Sequence, residues 1–149
     1  MRIAAAGDLH TRGGNLHSRS GDRYVHHVLA DAGRRSDLIL LAGDLTEAGL
    51  EDEAVVIADA CCELKVPVVA VLGNWDSDEV GHALVDAGVI VLASGGRTHV
   101  RLEAGGIAVG VAGVKGTWGG FPTIHSPQPV AVEHVDEAGV AVGRLGERV

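Results

Sequence analysis

The stretch Asp37–Leu45, "DLILLAGDL", carries five consecutive aliphatic residues, then a glycine and an aspartate. An apolar run that short and that uniform reads as a continuous buried strand. Behind it, "EDEAVVIADACCELK" (Glu51–Lys65) reads as an amphipathic helix whose acids fall in the first turn, where the macrodipole favours negative charge. The same grammar recurs on both sides. Upstream, "RIAAAGDLH" (Arg2–His10) is a short buried strand, "TRGGNLHSRSG" has loop composition, and "DRYVHHVLADAGRR" sets Tyr24, Val25, Val28, Leu29 and Ala32 on one helical face. Downstream, "VPVVAVLGN" (Val66–Asn74) is followed by "SDEVGHALVDAG", with Ser77 or Asp78 as N-cap and Gly88 as the stop. Three strand–loop–helix cycles in succession predict an α/β architecture with a parallel sheet.

Beyond Gly88 the pattern changes. "VIVLA", "THVRLEAGG" and "IAVGVAGV" are strand-like runs without helices between them, and the last two read as a β-hairpin turning around Ala104–Gly106. A glycine-rich loop, "KGTWGGFP", leads to a segment from Pro129 onward that is helix-like but weakened by Gly139, Gly143 and Gly146. No linker composition divides the 149 residues, so a single domain spanning residues 1–149 is expected.

Composition narrows the function classes. With 46% hydrophobic but only 3% aromatic residues, the core must be aliphatic. A formal charge of -8 with dispersed acids provides no basic stripe for phosphates, so no nucleic-acid-binding surface is expected. Carboxylates are, however, hard oxygen ligands for divalent cations. Cys61 and Cys62 are adjacent and read as free thiols, buried or half-buried, not as a secreted disulfide framework. The N-terminus runs straight into a strand, and no apolar run approaches the roughly 18 residues of a membrane span. A cytoplasmic protein without membrane contact is therefore expected.

Each of the three strands ends on a glycine followed by a short oxygen ligand: Gly7-Asp8, Gly43-Asp44 and Gly73-Asn74. The intervals, 36 residues from Asp8 to Asp44 and 30 from Asp44 to Asn74, each suit one βαβ unit. In a parallel sheet this lines up Asp8, Asp44 and Asn74 at the carboxyl edge, where open α/β folds bind ligands. His10, two residues past Asp8, points to the same side if the segment is extended. Convergent carboxylates repel unless a divalent metal sits between them, and mixed nitrogen and oxygen donors suit zinc, iron, manganese or similar ions. A single Gly-Asp after a strand is usually a turn or a cap; three in phase are not.

The motifs "GDLH", "GDLTE" and "GNWD" resemble the first three motifs of the calcineurin-like metallophosphoesterases, Asp-x-His, Gly-Asp and Gly-Asn-His-Asp/Glu, over Met1 to about Leu92. The resemblance implies an α/β/β/α sandwich and two divalent metal ions (manganese, iron, zinc or nickel). It implies that Asp8 and His10 bind the first metal, that Asp44 bridges both, and that Asn74 binds the second, with Asp44 and Asn74 serving the chemistry. The substrate would be a small-molecule phosphate mono- or diester, attacked in line by a hydroxide between the metals.

The sequence departs from that family pattern in two places. Trp75 stands where the third motif carries histidine, and an indole is no general acid. No Gly-His-x-His supplies the family's later ligands; the sandwich is therefore expected to lack its C-terminal strands, the chain being a C-terminally incomplete domain. His125 is the least poor substitute, His82 reads as a helix-surface residue, His26 and His27 face different sides of a helix, and His99 and His134 read as strand and helix positions. Lys115 and Thr117 lie in a loop that could reach a phosphate. There is no Gly-x-Gly-x-x-Gly after the first strand and no Gly-x-Ser-x-Gly elbow. Two readings remain: a metal-dependent phosphoesterase, or a catalytically inactive binding or scaffold module on the same fold.

Overall fold

The four parallel strands follow one another in space in the order they occur in the chain. The computed structural model describes residues 1–13, 19–93 and 97–115. The strands are β1 (Ile3–Ala6), β2 (Leu38–Ala42), β3 (Val68–Val71) and β4 (Ile90–Leu92), and they form one sheet in the order β1-β2-β3-β4. The register pairs Ala6 with Leu41, Ala42 with Val71 and Val71 with Leu92, so the carboxyl ends lie level. Because parallel crossovers are right-handed, this sequential order puts every connecting helix on the same face. These helices are α1 (Arg19–Arg35), α2 (Glu51–Cys62) and α3 (Asp78–Asp86).

Strand alternation divides the sheet into two cores. Ile39, Leu41, Val68, Ala70 and Val91 pack against Val25 and Leu29 of α1, Ile57 of α2 and Val80 and Leu84 of α3. Burying each large aliphatic side chain contributes about 1.5–3 kcal/mol. Leu38, Val69 and Leu92 face the other way, onto the hairpin β5 (His99–Ala104) and β6 (Ile107–Ala112). The hairpin turn is Gly105-Gly106, with φ of 57° and 75°, the left-handed pair that a two-residue turn requires. Among the described residues the layers are therefore helices, parallel sheet and hairpin. This is the mixed α/β architecture expected, and neither the second helical layer nor further strands of the hairpin sheet occur within them.

Several expectations need correction. The first strand is not buried on both faces: β1 is the sheet edge, the hairpin covers only its neighbours, and Ile3 is 48% exposed. Helix α1 begins at Arg19, inside the stretch of loop composition. Tyr24 does not share the buried face of α1; one residue before Val25 it sits about 100° around the helix and is exposed. Of the two thiols, Cys61 is buried but Cys62 is exposed, since successive helical positions face different ways. Ser77 is the N-cap of α3, its Oγ accepting from Val80 N at 3.4 Å, and Gly88 follows the helix at φ 84°. His82 is exposed on α3 and His99 opens β5, as expected. No helix among the described residues is long and apolar enough to cross a membrane. The loop beyond Lys115, with Thr117 and His125, and the weak helix from Pro129 with His134 lie outside the described residues.

Candidate metal centre

The residues just past β1 and β2 pair with each other beyond the strands themselves. Asp8 N donates to Gly43 O at 3.0 Å, His10 N to Asp44 O at 3.2 Å and Thr11 N to Leu45 O at 2.9 Å. Buried Thr11 adds its hydroxyl, which shares its single proton between Leu45 O and Glu53 O, both at 3.0 Å. This extension holds Asp8, His10 and Asp44 at φ of 53°, 44° and 49°. The left-handed conformation costs a non-glycine residue roughly 1–2 kcal/mol, which the surrounding hydrogen bonds must offset. The expectation that His10 reaches the Asp8 side through an extended segment is thus wrong in its geometry, because the backbone curls at both residues.

One ligand atom from each of Asp8, His10 and Asp44 lies within 4.8 Å of the other two. Asp8 is exposed, while His10 and Asp44 are half-buried. A cavity of about 160 Å³ opens beside Asp44, lined also by Asn74, Gly43, Gly73, Val71 and Val114. The sheet edge therefore brings three of the four expected site residues to one point and sets Asn74 in the same cavity as Asp44. The donor chemistry and close approach fit a divalent ion: two carboxylates and an imidazole converge, with an amide oxygen available from the next strand end. Hairpin strand β6 ends at this edge too. Val114 lines the cavity, and Lys115 Nζ lies 3.9 Å from Asp78 Oδ1 at the start of α3. His26 and His27 lie on α1 and are not in this group.

Two residues that sequence reasoning passed over organise the site. Asp76, only 3% exposed, accepts from Leu45 N (3.0 Å), Thr46 N (2.9 Å), Thr46 Oγ1 (2.7 Å) and Gly73 N (2.8 Å). One carboxylate thereby joins the loop carrying Asp44 to the loop carrying Asn74, and its desolvation is compensated by charge-assisted hydrogen bonds. Its signal was its place as the last residue of "GNWD". Glu47, at the end of "GDLTE", lies 3.4 Å from His10 Nδ1 and 3.2 Å from an Arg12 guanidinium nitrogen.

Trp75 contributes its backbone as well as its bulk. Its N–H donates to Asp44 Oδ1 at 3.2 Å, and the residue is 46% exposed. Glu53, buried at the start of α2, accepts from Ala48 N at 2.8 Å and Leu50 N at 3.3 Å, fixing the return of the Asp44 loop into the helix. Ser77 Oγ donates to Gly49 O at 2.7 Å and ties the same return to the Asn74 loop.

The comparison with curated proteins gave no match. A family model described as calcineurin-like phosphoesterase matches residues 1–134, well past the three motifs. With that match extending over most of its length, and with these motifs assembled at one sheet edge, the chain belongs to the calcineurin-like phosphoesterases, a family generally of phosphoester hydrolases.

Proposed function

We propose that this protein hydrolyses phosphate mono- or diesters of small molecules, using two divalent ions held by Asp8, His10, Asp44 and Asn74. The observation that carries this reading is the convergence of Asp8, His10 and Asp44 donor atoms within 4.8 Å. Manganese, iron, zinc and nickel all suit the donor set. When bound, such ions supply positive charge for the phosphoryl oxygens and make a water-derived nucleophile available near neutral pH.

The protein's own groups do the rest. Asp44 sits between the other two strand ends, and the Trp75 N–H holds its Oδ1 at 3.2 Å. Asp76 fixes the separation of the Asp44 and Asn74 loops. Val71 and Val114 form an apolar wall beside the reacting position, suited to the organic part of an ester. The Trp75 indole cannot hand a proton to the leaving oxygen near neutral pH, so esters with good leaving groups are favoured. Free thiols on neighbouring residues fit a reducing compartment such as the cytoplasm.

The direct test is hydrolysis of p-nitrophenyl phosphate and bis-p-nitrophenyl phosphate by metal-free protein supplied with manganese, beside Asp44→Asn. The wild type should turn over at least one ester and the variant neither. Equal rates in the two proteins would remove the catalytic reading. The half-exposed Trp75 at the site margin favours a second reading, a binding module using the indole as an apolar contact. Saturable metal binding with no turnover of either ester would favour it.

A further inference from the structure

We propose that Glu47 is the positioning residue for His10, holding the Nδ1 side of the imidazole so that Nε2 is the nitrogen left for the metal. This rests on the metal-site reading above and gives a role to Glu47, which lies beyond the family's Gly-Asp pair and outside the donor cluster.

His10 Nδ1 lies 3.4 Å from Glu47 Oε2, while the other Glu47 oxygen, Oε1, takes the Arg12 guanidinium at 3.2 Å. Glu47 is also anchored through its backbone, its N–H donating to Thr11 O at 3.0 Å, between His10 and Arg12 in sequence. The carboxylate is therefore held from two directions, with one oxygen directed to each partner. Imidazole ligands commonly donate their second N–H to a carboxylate, which fixes the tautomer and ring plane and raises the basicity of the ligating nitrogen. Here such a partner is needed: His10 has a left-handed backbone and is only half-buried, so core packing does not lock its ring. The two contacts of Glu47 are made by different oxygens, so Arg12→Ala leaves the approach of Oε2 to His10 Nδ1 itself in place.

The test uses the metal-free 149-residue chain and manganese as the probe. Removing such an outer partner typically weakens metal binding about 10–100-fold, so calorimetry should show a loss of that size for Glu47→Ala. Glu47→Gln, which keeps an acceptor, should lose less, and Arg12→Ala should stay within about threefold of wild type. A second readout needs no metal: ¹⁵N-histidine spectra near pH 8.5, with His10 assigned from His10→Asn, should show the Nδ1–H tautomer in wild type and its depletion in Glu47→Ala. Unchanged affinity and tautomer in Glu47→Ala would overturn the proposal, as would equal losses in Arg12→Ala and Glu47→Ala. Absence of saturable binding in the wild type would overturn the metal-site reading and this role with it. Wild-type binding with an unaffected Glu47→Ala would overturn only the role of Glu47.

Discussion

Gly73 lies so close to Asp44 that a β-carbon built on it would collide with the Asp44 amide nitrogen and Oδ1. The two loops touch backbone to backbone here, and Gly43 meets the same crossing, since its own β-carbon would stand 3.0 Å from Gly73 Cα. Gly73→Ala must therefore push the Asp44 and Asn74 loops apart. Overpacking of this kind costs about 1–3 kcal/mol. Urea unfolding should record that loss, and manganese affinity should fall with it; wild-type affinity in a folded Gly73→Ala would show that the contact does not shape the site.

Asp76→Asn replaces one fully engaged carboxylate oxygen with an amino group facing N–H donors. Leaving buried donors without an acceptor costs about 1–3 kcal/mol, more where charge assistance is lost. The variant should unfold at lower urea and bind manganese more weakly, although Asp76 is in neither the donor cluster nor the cavity lining. An unchanged urea midpoint would show that Asp76 does not brace the loops.

Trp75→His introduces a group able to protonate a leaving oxygen. General acid catalysis of this type contributes about 10²–10⁴-fold where the leaving group is poor. Rates for alkyl phosphate esters should rise far more than rates for nitrophenyl esters. A uniform gain across the series would show that leaving-group protonation is not what the tryptophan withholds.

The two thiols should behave differently. Burial, reinforced by the neighbouring Cys62, pushes the Cys61 thiol up from 9.0 to about 12, whereas Cys62 is exposed. Ellman's reagent at neutral pH should label one thiol in the native protein and both after denaturation. Because the folded state holds the Cys61 proton more tightly than the unfolded chain, this group's stabilisation is fully present below pH 9.0 and declines as pH rises toward about 12. Comparing urea midpoints at moderate and high pH for wild type and Cys61→Ala should show a shallower decline in the variant. Rapid labelling of both thiols in the native state would contradict the burial of Cys61.

Much of this was legible in the sequence because strand ends and turn chemistry are local. Gly-Asp and Gly-Asn pairs at βαβ spacing put Asp8, Asp44 and Asn74 at the ends of neighbouring strands, and Ala104–Gly106 marked the hairpin turn, which falls at Gly105-Gly106. The exposure of β1 was not legible, since an apolar run reads alike in a central strand and an edge strand; only the strand order and the reach of the hairpin decide it. Nor was the work of Asp76 and Glu47 apparent. Their partners are 31 and 37 residues away in sequence for Leu45 and His10, and no spacing rule singles out a carboxylate that binds backbone or a neighbouring imidazole.

The most direct measurement is calorimetric titration of metal-free wild type and Asp44→Asn with manganese. Asparagine retains an oxygen that can accept from the Trp75 N–H, so the fold should survive while the Asp44 carboxylate charge is lost. Saturable binding by the wild type and at least about a hundredfold weaker binding by the variant are expected for a ligand this central. No saturable binding by the wild type, or identical isotherms for the two proteins, would contradict a metal centre at Asp8, His10 and Asp44.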